Sequence, residues 1–277
     1  MSRKAALRVL VNCRTNGAWA DAALNVQIRR DGLSGADAAL CSRIVYGVLQ
    51  NQLLLDHYIS AYCSQKPDHL QPPLLDILRI GAYQILFLDK IPDSAAVNES
   101  VTLAKKYNKN PKAASLVNGV LRNAVRSQGT LKEPVSYADK YSHPDELISL
   151  LKANLPKGKL EPMLIANNAS PETVVQVNTL RITAPELMLR LEKEHVSAKP
   201  HGWMQDCLVL SGTGSLENLP SFQEGLFYVQ DAAAKLSVLC AEIPAGAKVL
   251  DCCAAPGGKS FAAALSGAGQ ILSCDIH

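Results

Sequence analysis

The residues best suited to chemistry in this sequence lie in the glycine-rich stretch Asp251–Lys259, DCCAAPGGK, and in a downstream acid, Asp275. Glycines let the backbone approach a ligand closely, and N–H groups at the start of a following helix attract negative charge. An acid about 20 residues further on, at the end of the next strand, can accept hydrogen bonds from ribose hydroxyls. The spacing therefore predicts a site for a ligand that contains a nucleoside.

Two common phosphate-binding motifs do not match this stretch. The dinucleotide pattern G-x-G-x-x-G is absent, and the P-loop pattern requires a glycine where Cys253 stands. A nucleoside poor in phosphate is therefore favoured over NAD or ATP, and S-adenosylmethionine fits through its adenosine, carboxylate and sulfonium groups. The alternative is an ordinary strand–turn–helix with a tight glycine turn and no ligand. The residues that we predict to bind the cofactor are Cys253, Ala254, Ala255, Pro256, Gly257, Gly258, Lys259 and Asp275.

The elements that must position these residues are a strand, a turn, a helix and a second strand. Lys248–Cys252 is a short apolar run, and Ala254–Gly258 is predicted to turn because proline and glycine disfavour the interior of regular elements. Phe261–Leu265 is predicted as a short helix and Gln270–Cys274 as the second strand. This order is typical of half of a doubly wound nucleotide-binding unit.

The stretch Asp251–Lys259 closely resembles the first motif of the RNA cytosine C5-methyltransferases. Tyr228–Ala234, YVQDAAA, resembles the segment that precedes this motif in that family. The resemblance indicates the bacterial 16S ribosomal RNA branch of the RsmB (Sun, Fmu) type, with further landmarks at residues 43–49, 78–101, 115–122, 141–151 and 177–182. It implies methylation of a cytosine at C5 in small-subunit ribosomal RNA with S-adenosylmethionine as the methyl donor.

The resemblance also implies how the reaction proceeds. In that family a cysteine thiolate adds to C6 of the base, C5 then attacks the methyl group, and a base removes the C5 proton before the thiolate leaves. The active cysteines lie in Pro-Cys and Thr-Cys motifs, and this chain contains neither dipeptide. We interpret Cys252 and Cys253 as small buried residues and Cys274 as a core strand residue.

We therefore predict that no catalytic residue is present and that this chain is inactive by itself. Two strands of a parallel sheet leave faces and edges uncovered, which supports the interpretation that the chain is a fragment of a longer reading frame. The alternative function is that of a non-catalytic RNA-binding protein in which the helical N-terminal part acts alone.

Residues 1–130 predict an all-helical bundle. Pro72 and Pro73 open a helix that is apolar almost all round, which indicates a central position. Apolar residues at helical spacing also mark residues 40–49 and 116–125, and no period-two pattern competes. This order resembles the fold of the antitermination factor NusB, which is the N-terminal module expected in the family.

Charge placement predicts where this bundle contacts RNA. No acid occurs from Ser100 to Lys132, whereas basic residues are frequent there, and such a segment can neutralise phosphates. The alternative is that this segment is only a solvated helix face. Arg181, in the next domain, is a further candidate, and the alternative for it is a surface ion pair. The candidate RNA contacts are Lys105, Lys106, Lys109, Lys112, Arg122 and Arg181.

The remaining chain is predicted to complete a multidomain protein. Residues 131–222 are expected to form a linker and a small α+β domain, ferredoxin-like or RRM-like by resemblance, with strands at 174–177 and 207–210. Residues 223–277 are expected to form the first β-α-β of a Rossmann-like α/β methyltransferase domain that binds S-adenosylmethionine, and a strand at 225–229 is expected to lead into a helix at 231–240 that precedes this unit.

Composition sets the general class of this protein. Hydrophobic content of 48% with 19% charged residues describes a globular protein, and a net charge of +3 says little about partners. The eight cysteines and six histidines form no C-x-x-C or zinc spacing, so we expect free thiols and no metal. We expect no signal peptide, and the sequence has no apolar run of 18 residues that could cross a membrane. A cytoplasmic monomer is expected.

Overall fold

The computed structural model describes residues 1–63, 65–108, 110–128, 130 and 132–276. The chain forms two compact units, Met1–Ala169 and Ser170–His277, and each is described by itself.

The described part of the first unit is helical. Its elements are α1 (Ser2–Asn16), α2 (Ala20–Arg30), α3 (Gly35–Gln50), α4 (Gln52–Ser60), α5 (Pro72–Phe87), α6 (Asp93–Tyr107), α7 (Pro111–Arg126), α8 (Tyr137–Tyr141), α9 (Asp145–Asn154) and α10 (Leu160–Asn168).

Helix α5 is the centre of this unit, as its apolar pattern predicted. Every residue from Leu74 to Ile85 is buried, and α5 packs against α1, α3, α4, α6 and α7. A helix with no solvent face must be surrounded by other helices. The predicted all-helical bundle is therefore confirmed.

Two charged residues lie inside this helix, and both are paired. Asp76 and Arg79 are 2% and 4% exposed. Arg79 donates two hydrogen bonds to Asp56 of α4, at 2.8 and 2.6 Å, and Arg14 of α1 donates to Asp76 at 2.8 Å. Burial raises the pKa of Asp76, while Arg14 and Arg79 act in the opposite direction. Because a buried charge is costly without its partner, the pairs fix how α1 and α4 meet α5.

The helices α8 to α10 belong to the first unit. The Leu53 N–H donates to the Ser142 hydroxyl at 2.8 Å, and Gln50 donates to the carbonyl of Asn168 at 2.7 Å. The compact units therefore divide at residues 169 and 170, whereas the sequence suggested borders at 130/131 and 222/223. Because these hydrogen bonds join residues far apart in the chain, no local sequence pattern predicts them.

The second unit combines strands and helices. Its elements are β1 (Thr173–Val177), α11 (Ala184–Lys193), β2 (Ser197–Pro200), β3 (Cys207–Ser211), α12 (Pro220–Gln223), β4 (Phe227–Val229), α13 (Ala232–Leu239), β5 (Lys248–Asp251), α14 (Gly258–Leu265) and β6 (Gln270–Ser273).

The strands β1 to β4 form one antiparallel sheet in the order β2-β3-β1-β4. This is the order of the split β-α-β fold, with α11 covering one face through Leu187 and Leu191. The predicted small α+β fold is confirmed. The sequence did not predict β2, and it assigned the strand around Phe227 to the following domain, whereas β4 pairs with β1.

The strands β5 and β6 form a separate parallel pair, with Lys248 opposite Gln270 and Asp251 opposite Ser273. Helix α14 connects them, and α13 packs on α14. The predicted strand–turn–helix–strand order is therefore confirmed. One face of the pair is open in the described residues, where Leu250 and Leu272 are 58% and 62% exposed.

None of the helices in the described ranges combines the length and apolar character needed to cross a bilayer.

Two helical glycines of the first unit give opposite predictions for substitution by alanine. A Cβ at Gly47 would lie 1.9 Å from Cζ of the buried Tyr83 ring, whereas at Gly119 it would meet nothing within 4 Å. We expect Gly47→Ala to lower the free energy of unfolding by about 1–3 kcal/mol through overpacking. The matched control Gly119→Ala should raise it by about 0.5–1 kcal/mol. Urea denaturation of both variants measures this, and equal shifts of the same sign would contradict the packing at Gly47.

Candidate functional site

The glycine turn, residues 252–257, runs from the end of β5 to the start of α14 and is shaped by one carboxylate. Asp251 Oδ1 accepts the N–H of Cys253 at 3.2 Å, and Oδ2 accepts the Ser260 hydroxyl at 2.8 Å. The Ser260 Oγ also lies 2.8 Å from the Ser273 Oγ of β6. A single acid therefore joins β5, the turn, α14 and, through Ser260, β6.

The second acid of the site faces the turn. Asp275 Oδ2 accepts the N–H of Ala255 at 2.9 Å, and Oδ1 accepts the N–H of Ile276 at 2.8 Å. Both oxygens of Asp275 are therefore engaged with backbone N–H groups, one of them in the turn itself. The Ala254 N–H donates to the carbonyl of Cys274 at 3.0 Å, which fixes the turn beside the end of β6.

Two positions in the turn require glycine. Gly257 has φ +113°, and a Cβ there would lie 3.3 Å from the Phe261 ring. At Gly258 a Cβ would lie 3.1 Å from Nε2 of the buried Gln230. The absence of a Cβ at these two positions lets Phe261 and Gln230 approach the backbone closely, and the first N–H groups of a helix have no partner within it.

Lys259 supports the turn. Its Nζ donates to the carbonyl of Cys253 at 2.7 Å, across the turn. This contact differs from the phosphate contact that a P-loop lysine makes, in agreement with the absence of that motif.

The three cysteines of this region are not buried. Cys252, Cys253 and Cys274 are all exposed, so the interpretation of them as buried residues was wrong. The turn lies at the end of the strand pair, and in the described residues β5 and β6 pair only with each other. Among the described residues, no neighbouring strand therefore covers the side chains of the three cysteines.

The residues that hold the turn in shape were not predicted from the sequence. Asp251 was part of the quoted motif but was not assigned a role, and Ser260 and Ser273 were not named as candidates. The available signal was an acid at the end of an apolar strand with a serine in the first turn of the next helix. That signal is common, and only the register of β5 with β6 shows that the two serines meet.

Lys105, Lys106, Lys112 and Arg122, the predicted RNA contacts of the first unit that the structure describes, are exposed but do not form one cluster. Lys105 and Lys106 lie in the last turn of α6. Arg122 borders a hollow of about 720 Å³ between α6 and α7 together with Arg126 and Asp93, and Lys112 borders a different hollow. Lys109 lies outside the described residues. The segment without acids thus meets an acid, Asp93, in three dimensions.

Arg181 is held by the backbone. Its Nη1 donates to the carbonyl of Glu224 at 2.5 Å, while the Glu224 carboxylate accepts from Arg190 at 2.6 Å. The contact at Arg181 is therefore to a carbonyl and differs from the ion pair considered as the alternative. Among the described residues no group of three or more His, Cys, Asp or Glu side chains is arranged to hold a metal ion.

Two family models match this chain. Residues 1–126 match the NusB family, and residues 143–217 match the ferredoxin-like domain of RsmF/B-like methyltransferases.

Relatives with assigned names match over longer stretches. A probable ribosomal RNA small subunit methyltransferase B of Synechocystis sp. is 32% identical over 285 residues, covering 100% of this chain and 64% of the relative. A protein of the same name from Bacillus subtilis is 30% identical, covering 99% and 62%. The ribosomal RNA small subunit methyltransferase B of Vibrio cholerae is 36% identical over 226 residues, covering 81% and 51%. The chain thus spans less than two thirds of the length of these relatives.

A solved structure shares the fold. The crystal structure of PH0851 superposes with a TM-score of 0.70 at 21% sequence identity, covering 99% of this chain and 63% of that chain.

The role of Ser260 in the turn gives a prediction. Ser260→Ala leaves Asp251 Oδ2 without its hydroxyl donor, and we expect the free energy of local opening to fall by about 1–3 kcal/mol. Hydrogen exchange of the amides in residues 251–261, followed by mass spectrometry, measures this change.

The matched control is Ser266→Ala, in the residue that follows the same helix. The Ser266 hydroxyl donates only to the carbonyl of Ala262, so a change within about 0.5 kcal/mol is expected. Equal exchange rates in the Ser260 variant and the unchanged chain would show that Asp251 does not depend on this hydroxyl.

Proposed function

We propose that this chain, which belongs to the family of the ribosomal RNA small subunit methyltransferases B, holds S-adenosylmethionine at its glycine turn and serves the methylation of a cytosine at C5 in small-subunit (16S) ribosomal RNA. The observation that carries this proposal is the contact between Asp275 and the N–H of Ala255, at 2.9 Å. It brings an acid at the end of one parallel strand to the turn that follows the other, the arrangement by which such folds bind nucleosides.

The residues of the turn fit this methyl donor. Its ribose hydroxyls require an acceptor, and a carboxylate at the end of the second strand is the group that plays this part in nucleoside-binding folds. Its carboxylate requires donors, which the open N–H groups at the start of α14 supply beside Gly257 and Gly258. No phosphate group is needed, in keeping with a lysine that is engaged by the carbonyl of Cys253.

When bound, S-adenosylmethionine supplies an electrophilic methyl group on a sulfonium centre. The part of this chain is to bind and orient it. Asp275 would hold the ribose, the helix start would hold the carboxylate, and Ser260 and Asp251 would keep the turn in the shape that allows both. The methyl group is then directed by groups that are already fixed, which reduces the entropic cost of the transfer step.

The RNA substrate is proposed to contact the NusB domain and the ferredoxin-like domain. Lys105, Lys106, Lys112 and Arg122 are exposed and can neutralise phosphates without reading sequence. Lys109 and Arg181 complete the proposed set.

We further propose that these 277 residues bind the donor and RNA without transferring the methyl group. The nucleophilic cysteine of this chemistry is expected in a Pro-Cys or Thr-Cys motif, and neither occurs. Cys252 and Cys253 lie in the donor-binding turn itself, with the carbonyl of Cys253 bonded to Lys259.

The role of Asp275 is tested by calorimetric titration with S-adenosylmethionine. The unchanged chain should bind it, and Asp275→Ala should weaken binding by about 10- to 100-fold, because hydrogen bonds to a charged acceptor are lost. Glu192→Ala, an exposed carboxylate on α11, is the control and should bind as the unchanged chain does.

Equal affinity of the Asp275 and Glu192 variants would remove Asp275 from the site, and no binding by the unchanged chain would remove the site itself. Incubating the same proteins with small-subunit RNA and donor carrying a labelled methyl group should give no labelled RNA. Labelled RNA would show that this chain carries its own nucleophile.

The basic residues of the NusB domain are tested by the salt dependence of RNA binding. The triple variant Lys105→Glu, Lys106→Glu, Arg122→Glu should bind single-stranded RNA more weakly. The slope of log K against log salt should lose about 0.7 for each phosphate contact removed.

A control with the same change in net charge is Lys152→Glu, Lys157→Glu, Lys193→Glu, since all three side chains are exposed. If both triple variants lose the same affinity and slope, net charge and not this surface determines RNA binding.

A further inference from the structure

A hollow of about 520 Å³ opens in the second unit beside α14, within the size range of ligand pockets, about 300–1,000 Å³. We call it the aromatic pocket. Its principal lining residues are Asn178, Leu180, Arg181, Phe222, Tyr228 and Phe261. The glycine turn does not line it, so it is distinct from the proposed donor site.

The wall of the pocket is aromatic and partly exposed. Tyr228 and Phe261 meet edge to face with ring centroids 5.4 Å apart. Phe261 is 53% exposed and Leu180 is 78% exposed. Large apolar side chains left in water at the rim of one hollow are typical of a binding site, and a flat ring is the shape that covers such side chains best.

The mouth of the pocket is positively charged. Arg181 is fixed across the backbone of Gly225, where an added Cβ would lie 3.6 Å from its Nη1. The nearby carboxylate of Glu224 is already neutralised by Arg190, at 2.6 Å. The guanidinium of Arg181 therefore provides a positive charge at a fixed place, suited to an anionic group attached to the ring.

Hydrogen-bonding capacity is left unused behind this wall. Asn178 Oδ1 and the Tyr228 hydroxyl are buried and have no hydrogen-bond partner among the described residues. Burial raises the pKa of Tyr228 to about 12, so its hydroxyl keeps its proton as a donor. Buried polar groups nearly always have partners, and here one acceptor and one donor lack them, while Nδ2 of Asn178 donates to the carbonyl of Gly225 at 2.9 Å.

We propose that the aromatic pocket binds one unstacked base of single-stranded RNA, with Leu180 and Phe261 against the faces of the base and Arg181 toward its phosphate. The proposal rests on the proposed function, since it gives a specific site to the RNA substrate. A planar ring with polar edges and a neighbouring anion matches all three properties of the pocket, and unstacked bases are recognised in this way by aromatic side chains and arginine. An apolar peptide side chain would leave the charge of Arg181 and both buried polar atoms unused.

The test measures binding of a single-stranded RNA decamer in which one 2-aminopurine is flanked by abasic positions, so that its fluorescence falls only when it stacks on a ring of the protein. The full chain should quench it and bind it more tightly than an abasic ribose–phosphate decamer of the same charge. Leu180→Ser and Phe261→Ala should each lose about tenfold in affinity for the decamer that has bases, should lose the quenching, and should bind the abasic decamer as before. Leu189→Ser, at an apolar side chain 60% exposed on α11, is the control and should behave as the unchanged chain.

The outcomes separate this pocket from the proposed function. If Leu180→Ser quenches and binds as the unchanged chain does, the pocket does not hold a base, whether or not Phe261→Ala folds. That result, combined with loss of affinity in the Lys105, Lys106, Arg122 triple variant, would contradict base binding in the pocket but not RNA binding by the chain. No binding of either decamer by the unchanged chain would overturn both.

Discussion

The geometry of the glycine turn depends on the carboxylate of Asp251. The turn is largely exposed and has little apolar surface to bury, so packing alone cannot hold it. Instead the two oxygens of Asp251 take the N–H of Cys253 and the hydroxyl of Ser260, and Ser260 also meets Ser273 of the neighbouring strand. Hydrogen bonds to a charged acceptor are directional and stronger than neutral ones. These hydrogen bonds fix the backbone between β5 and the start of α14, and Asp275 contacts that backbone at the N–H of Ala255.

The first unit is held together in a different way, by apolar packing around one helix and by buried ion pairs. Its central helix α5 has no solvent face between Leu74 and Ile85, and the charged side chains buried in it are Asp76 and Arg79. These two side chains are paired with residues of α1 and α4, which restricts the bundle to arrangements that satisfy both pairs. The basic side chains Lys105 and Lys106 of α6 and Lys112 and Arg122 of α7 are exposed and take no part in these two pairs. A rigid interior with a basic exterior suits a domain proposed to position RNA by its phosphates.

Helix α14 connects the two proposed sites of the second unit. Its start provides N–H groups at the glycine turn, and its side chain Phe261 belongs to the aromatic pocket. The ring of Phe261 also lies close to Gly257, at 3.3 Å from the position that a Cβ on that glycine would take. One residue therefore touches both the turn proposed to hold the donor and the pocket proposed to hold a base. The glycine turn uses the backbone at the start of α14, whereas the aromatic pocket uses the Phe261 side chain, so the two sites use different atoms.

Local patterns in the sequence determined the helical bundle, the small α+β fold and the order of strand, turn, helix and strand around Pro256-Gly257-Gly258. Each of these rests on periodicity or on an allowed φ, and both are properties of neighbouring residues. Only the tertiary structure decided that β4 pairs with β1, that Cys252, Cys253 and Cys274 are exposed, and that α8 to α10 join the first unit. It also decided that residues as distant in the chain as Leu180 and Phe261 line one pocket. The physical reason is that pairing and burial depend on which segment lies opposite, and no stretch of sequence contains its own partner.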